Sequence, residues 1–235
     1  MSISNSLRPL ALTLLALLAA AVGPNIFPAA EAGYGELNVF AIHFLLPAIA
    51  LLIAIVLLSR KWEPSIARYI IWGALAGALA TIPLEAIRIT GYKLGFMPGN
   101  LPRLMGVLLL NRFALGPSPA SDIAGWAYHF WNGASFGIIY VFVFGVGRRW
   151  LGGLYGILVG IGFMLSPAVI ALGVGYFGLQ FSDWFAATVL TAHLAFGFTL
   201  GFLAKRFLGT ERSRLWAALR ATVAPDIRHA GQPHS

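Results

Sequence analysis

Residues Val39–Leu58 read VFAIHFLLPAIALLIAIVLL, twenty positions without a single Asp, Glu, Lys or Arg. As a helix rising about 1.5 Å per residue, this run covers about 30 Å, the thickness of a bilayer's hydrocarbon core. No water reaches that depth to satisfy peptide groups, so a crossing segment must close its own hydrogen bonds, as a helix does. The stretch therefore reads as a transmembrane helix.

Working outward, similar runs occur at Ile66–Ile89, Ile123–Val146, Leu151–Tyr176 and Trp184–Ala204. A further one, Pro9–Val22, is short and stops at Gly23-Pro24. It reads either as a first span or as a signal-peptide core, with Arg8 before it and Ala30-Glu31-Ala32 as a small-residue cleavage site. Of the 235 residues, 59% are hydrophobic and 10% charged, against about 25% charged in soluble domains. The expected fold is all-α, a polytopic transmembrane bundle of about six spans over residues 1–207. Residues 208–235 follow as a cytoplasmic amphipathic helix and a loose tail.

Charge placement orients the bundle. With a cytoplasmic N-terminus, twelve of the 16 Lys and Arg residues fall on inner segments, and Arg88, Lys93, Arg103 and Arg112 stay outside. That asymmetry satisfies the positive-inside rule and predicts both ends inside, as for a multi-pass protein of a bacterial inner membrane. The net charge of +8 is then mostly topological, which argues against nucleic acid as a partner. The lipid bilayer is the expected surrounding, with other membrane subunits as candidate partners. Tyr34, Tyr92, Trp126, Tyr128, Tyr176 and Trp184 fall near outer ends, and Trp62, Tyr69 and Trp150 near inner ends, as interfacial rings do. The absence of cysteine excludes disulfides, iron–sulfur clusters, thiolate metal sites and covalent c-type haem.

Two segments are not expected to span. Leu101–Asn111 follows Pro98-Gly99-Asn100, with Asn100 as an N-cap, and is too short to cross. It would lie on the outer surface or re-enter the bundle. Leu215, Trp216, Leu219 and Val223 share a helical face near Arg212, Arg214 and Arg220, the pattern of an interfacial amphipathic helix.

The chemistry lies in a repeat. His129-x3-Gly133-x3-Gly137 in the fourth span matches His193-x3-Gly197-x3-Gly201 in the sixth, and the third span carries Gly73, Gly77, Thr81 and Glu85 at the same spacing. Residues four apart drift only about 40° around a helix, so each set forms a stripe with glycines at one end and a titratable group at the other. Gly152, Gly156 and Gly160 add a stripe in the fifth span. Because lipid gives helices no hydrophobic reason to associate, small residues that admit close backbone contact predict tight packing among these four spans. Glu85, His129 and His193 should then face protein, since a charge exposed to lipid costs on the order of 2.5–3.5 kcal/mol. Asn132, Arg88 and His43 are further members of the expected ligand-binding set. The bland alternative stays open: each His bonds a neighbouring carbonyl and the glycines only pack.

Between Gly73 and Ala204 the pattern resembles a group of uncharacterised bacterial multi-pass membrane proteins. The resemblance runs through Gly77-Ala78-Leu79-Ala80-Thr81, Met97-Pro98, His129-Phe130-x2-Gly133, Tyr140 and His193-Leu194-x2-Gly197, and it implies no activity.

Four uses of the stripes follow. His129, His193 and Glu85, with His43, form a candidate metal set, or two His hold a haem above the glycines. The same groups suit a proton-coupled transporter, with Arg88 binding an anion, although the glycine-tight inner half offers no matching polar path. An accessory or scaffold subunit would need only the packing surfaces. Gly133-Ala134-Ser135-Phe136-Gly137 fits G-x-S-x-G and, with Ala192-His193, is similar to rhomboid proteases. Ser135, however, sits inside a continuous helix without free N–H groups for an oxyanion hole, and lies roughly 240° around it from His129. Gly173–Gly178 fits G-x-G-x-x-G but lacks the preceding strand that gives that motif meaning. The expectation is a non-enzymatic membrane protein with a polar ligand site.

Overall fold

The computed structural model describes residues 3–146, 149–209 and 212–223, and no strand occurs among them. In chain order the helices are α1 (Ile3–Glu31), α2 (Leu37–Phe40), α3 (Leu46–Trp62), α4 (Pro64–Lys93), α5 (Leu101–Leu109), α6 (Pro119–Phe144), α7 (Arg149–Met164), α8 (Pro167–Ala171), α9 (Trp184–Leu208) and α10 (Arg214–Val223). A π-helical turn at Ala41–Leu45 fuses α2 to α3. Four segments are long and apolar enough to cross a membrane: Leu7–Glu31, Leu37–Trp62, Pro64–Lys93 and Trp184–Leu208. At 26 residues α6 has the length as well, but His129 and Asn132 dilute its apolar character.

Two expected spans differ from the structure. The first does not end at Gly23-Pro24: α1 continues to Glu31 with Pro9, Pro24 and Pro28 inside it. A proline in a helix interior costs about 3 kcal/mol and removes one hydrogen bond. Here tertiary contacts oppose that cost. Ala16, Ala20 and Phe27 are buried, Tyr128 Oη donates to the Gly23 carbonyl at 2.7 Å, and Asn25 Nδ2 donates to the Ala21 carbonyl at 2.8 Å.

The fifth span, expected to run unbroken over 151–176, stops at Met164. Ser166, the residue before Pro167, is extended (φ −75°, ψ 154°), because the proline ring crowds out the helical conformation there. Ser166 Oγ donates back to the Phe163 carbonyl at 2.7 Å. Short α8 and a glycine-rich turn complete the segment.

The glycine stripes form two backbone seams. A Cβ added at Gly77 would lie 2.1 Å from the Gly133 carbonyl oxygen, and one at Gly137 would lie 2.1 Å from that of Gly73. Between α7 and α9, a Cβ at Gly156 would meet the His193 carbonyl at 2.0 Å, and one at Gly197 that of Gly152 at 2.1 Å. The expected tight packing is thus realised as α4 on α6 and α7 on α9, with α4 and α9 also extensively packed. Helices α6 and α7 touch little. They meet through rings, Phe136, Tyr140 and Phe144 against Tyr155, whose hydroxyl donates to the Phe136 carbonyl at 3.0 Å.

The two ends of the bundle are built differently. At one, α5 lies along α6 so closely that a Cβ at Gly106 would sit 1.8 Å from the Ser121 carbonyl. Asn100 caps α5 as expected, accepting from Arg103 N–H at 3.3 Å, and Arg103 forks onto both oxygens of Asp122 at 3.1 and 3.0 Å. At the other end α10 packs on α1 and α6. Tyr69 Oη donates to the Arg212 carbonyl at 2.6 Å, Ser213 Oγ to that of Phe142 at 2.9 Å, and Arg214 pairs with Glu63 at 2.9 Å. Tyr69 and Tyr128, expected as interfacial rings, are buried instead, because each hydroxyl has a backbone acceptor inside the protein. The expected loose tail, 224–235, lies outside the described residues.

Candidate functional site

The α4 stripe ends in a charged cluster. Glu85 and Arg88, one turn apart and 5% and 6% exposed, pair at 2.5 Å between Oε1 and Nη1. His129 arrives from α6, with Nε2 at 2.8 Å from the same carboxylate oxygen. The α4/α6 glycine seam sets this meeting, because Gly133, one turn from His129, packs under Thr81, one turn from Glu85. One carboxylate therefore serves two nitrogen bases. Removing such a group from water is costly unless its partners are excellent, and Glu85 has two.

Beside the cluster, in the gap that the two seams leave between α6 and α7, is a cavity of about 450 Å³. Thr81, Leu84 and Arg88 face it from α4, and His129, Asn132 and Phe136 from α6. Val159, Gly162 and Phe163 come from α7, and His193 and Phe196 from α9. Pro24–Pro28 of α1, Leu101 and Met105 of α5, and Ser166–Ala168 enclose the end nearest α5. The proline-interrupted segments of α1 and of the α7–α8 break are thus what borders it. Phe136, already in contact with Tyr155, lies on the side toward α10.

Within this wall the polar groups are unevenly satisfied. Arg88 Nε and Asn132 Oδ1 are buried without hydrogen-bond partners, and His129 Nε2, although 2.8 Å from Glu85 Oε1, is not aligned for a hydrogen bond to it, a costly condition in a folded chain. His193 Nδ1 lies 2.8 Å from the Val189 carbonyl. A carbonyl only accepts, so Nδ1 carries the proton and the neutral ring keeps Nε2 as its acceptor. Phe163 stacks on that ring at 6.0 Å between centroids, which fixes its plane.

The structure brings together five of the six residues expected at the site. Glu85 pairs with Arg88 and lies 2.8 Å from His129 Nε2, and Arg88, His129, Asn132 and His193 line the cavity. His43 is not among them: it is exposed on the π-helical turn. The expected metal set of His129, His193, Glu85 and His43 is not assembled, since among the described residues no three His, Asp or Glu side chains are grouped to hold a metal ion. The reason is local, in that Glu85 is engaged by Arg88 and His129 while Nδ1 of His193 is held by its own helix. A macrocycle below each His is opposed by the glycines themselves, whose space is filled by the Thr81 side chain at Gly133 and by the Gly152 backbone at Gly197. Ser135 is wholly buried in α6 and does not line the cavity.

Arg88, expected in the ligand-binding set, lines the wall. One feature escaped the sequence reading: Gly162, Phe163 and Ser166 contribute a face that a continuous fifth span would not present. The Ser166-Pro167 pair was the available signal for the break.

These features define an all-helical bundle of membrane-crossing character with an internal polar-ended cavity. Comparison with protein-family models, with curated proteins and with solved structures gives no match for this chain.

Proposed function

We propose that this chain is an integral membrane protein that binds a small ligand in the cavity between α6 and α7. The observation that carries the reading is the cavity itself. Its volume of about 450 Å³ falls in the range of roughly 300–1,000 Å³ typical of small-molecule sites, and its wall is apolar apart from a few converging polar groups, the usual make-up of such sites. Six crossings with both termini cytoplasmic, as in a bacterial inner membrane, fit the distribution of Lys and Arg. In that orientation the site lies in the outer half. Binding is favoured over passage because the Gly73/Gly137 and Gly152/Gly197 seams and the Phe136–Tyr155 contact leave little space toward α10.

Gly162 provides the test. Gly162 lines the cavity at an exposed position and a Cβ there would meet nothing within 4 Å, so Gly162→Phe should obstruct the mouth of the cavity while leaving the seams intact. Native mass spectrometry in a neutral detergent, counting decanol molecules bound per chain, should show one saturable site in the wild type and none in the variant. Equal saturable binding by both would refute the reading.

A further inference from the structure

We infer that the cavity takes an amphiphile with an anionic oxygen head, a carboxylate or a phosphate ester, seated against Arg88 and His129. This deepens the ligand-binding reading above and rests on it.

The charge of the wall supports the inference. The cavity is lined by one arginine and two histidines and by no Asp or Glu. The sole nearby carboxylate, Glu85, does not line it and is occupied by Arg88 Nη1 and His129 Nε2. Arg88 can only donate, through five N–H groups in a planar fork. One of its nitrogens is engaged by Glu85, and Nε is buried with no partner. A guanidinium more than nine-tenths buried, incompletely hydrogen-bonded and on a residue that lines an apolar cavity suits an oxygen anion, for which charge-assisted hydrogen bonds are the strong ones. A cationic ligand would meet Arg88 with no carboxylate on the cavity wall to bind it, and a wholly apolar one would leave Arg88 Nε without a partner.

Glu85 has a distinct part. It holds Arg88 and His129 in place from behind, so their donors are arranged before any ligand arrives and less ordering is required on binding. The remaining wall, with Phe163, Phe196, Val159 and Leu84, matches a hydrocarbon body.

The experiment compares four ten-carbon probes, decanoate, decyl phosphate, decanol and decyltrimethylammonium, by native mass spectrometry of the full chain in neutral detergent. Decanoate and decyl phosphate should bind at least tenfold more tightly than decanol, and decyltrimethylammonium should not saturate. Arg88→Gln should erase the preference of the anions over decanol. Because that change strands Glu85, the paired variant Glu85→Gln with Arg88→Gln, which strands no charge, should give the same loss, and Arg88→Lys should recover part of it.

Decanol binding as tightly as decanoate, with both abolished by Gly162→Phe, would overturn the anion inference while leaving the cavity reading standing. Saturable binding of every probe unaffected by Gly162→Phe would overturn the cavity reading itself. Added phosphatidylglycerol distinguishes the sources: competition with decanoate identifies a bilayer lipid head group, and lack of competition a free amphiphile.

Discussion

The two glycine seams and the cavity between them are made from the same four helices, yet they solve opposite problems. Along the seams, Gly73 and Gly77 face Gly133 and Gly137, and Gly152 and Gly156 face Gly197, at separations where a single methyl group would strike backbone oxygen. At the α5 end of the same helices, Glu85, His129 and His193 replace glycine, and the helices stand apart around about 450 Å³ of space. Side-chain volume accounts for the contrast. Seam packing fixes helix positions to a fraction of an ångström, and that fixed spacing brings a carboxylate from α4 within 2.8 Å of an imidazole on α6. The rigid half positions the polar half.

The comparison breaks most sharply at the charge cluster. Glu85→Leu leaves Arg88 buried without its carboxylate, and losing one partner of a buried pair costs about 3–5 kcal/mol. The protein should unfold at markedly lower denaturant concentration, with part of the loss recovered when Arg88→Met is added; a double variant no better than the single would mean the pair is not coupled. The seam comes next. Gly77→Ala places a methyl 2.1 Å from the Gly133 oxygen, and such overpacking costs about 1–3 kcal/mol, read as a lower thermal midpoint in detergent.

The contrast is sharpest between two glycines. Gly162→Ala, on the cavity wall where nothing lies within 4 Å, should change stability by less than about 0.5 kcal/mol. A loss equal to that at Gly77 would mean the cavity is not open space. The smallest effect belongs to the exposed Arg103–Asp122 fork that ties α5 to α6. The guanidinium holds the Asp122 carboxyl below its usual range. A lowered folded pKa contributes stability that is present above the unfolded value and lost as pH falls through the folded one. Asp122→Asn should therefore match the wild type at strongly acid pH and fall slightly below it near neutrality, as followed by thermal unfolding across that range.

Much of this was legible beforehand, and the reasons are specific. Four-residue spacing on a helix translates directly into a stripe, so Gly73, Gly77, Gly133 and Gly137 announced their seam. The same spacing put Glu85 and His129 at equivalent depths, and they meet. His43 shows the limit: depth along a helix says nothing about which way a side chain turns, and the π-helical turn leaves it exposed. Hydropathy likewise could not separate one long span from the broken α7–α8 segment, since both are apolar. The first span was misjudged for the reverse reason, because local proline penalties were read without the packing that outweighs them.

By itself, the sequence determined the helical class and the helix faces that carry glycine, because these depend on composition and on a periodicity every helix shares. Only the tertiary structure decided that the four stripes pair as two seams, α4 with α6 and α7 with α9, joined where α4 packs on α9. Packing between distant segments is a competition among contacts of similar energy, and it is settled by shape. The cavity and the place of Arg88 in its wall are consequences of that pairing, so no single helix encodes them.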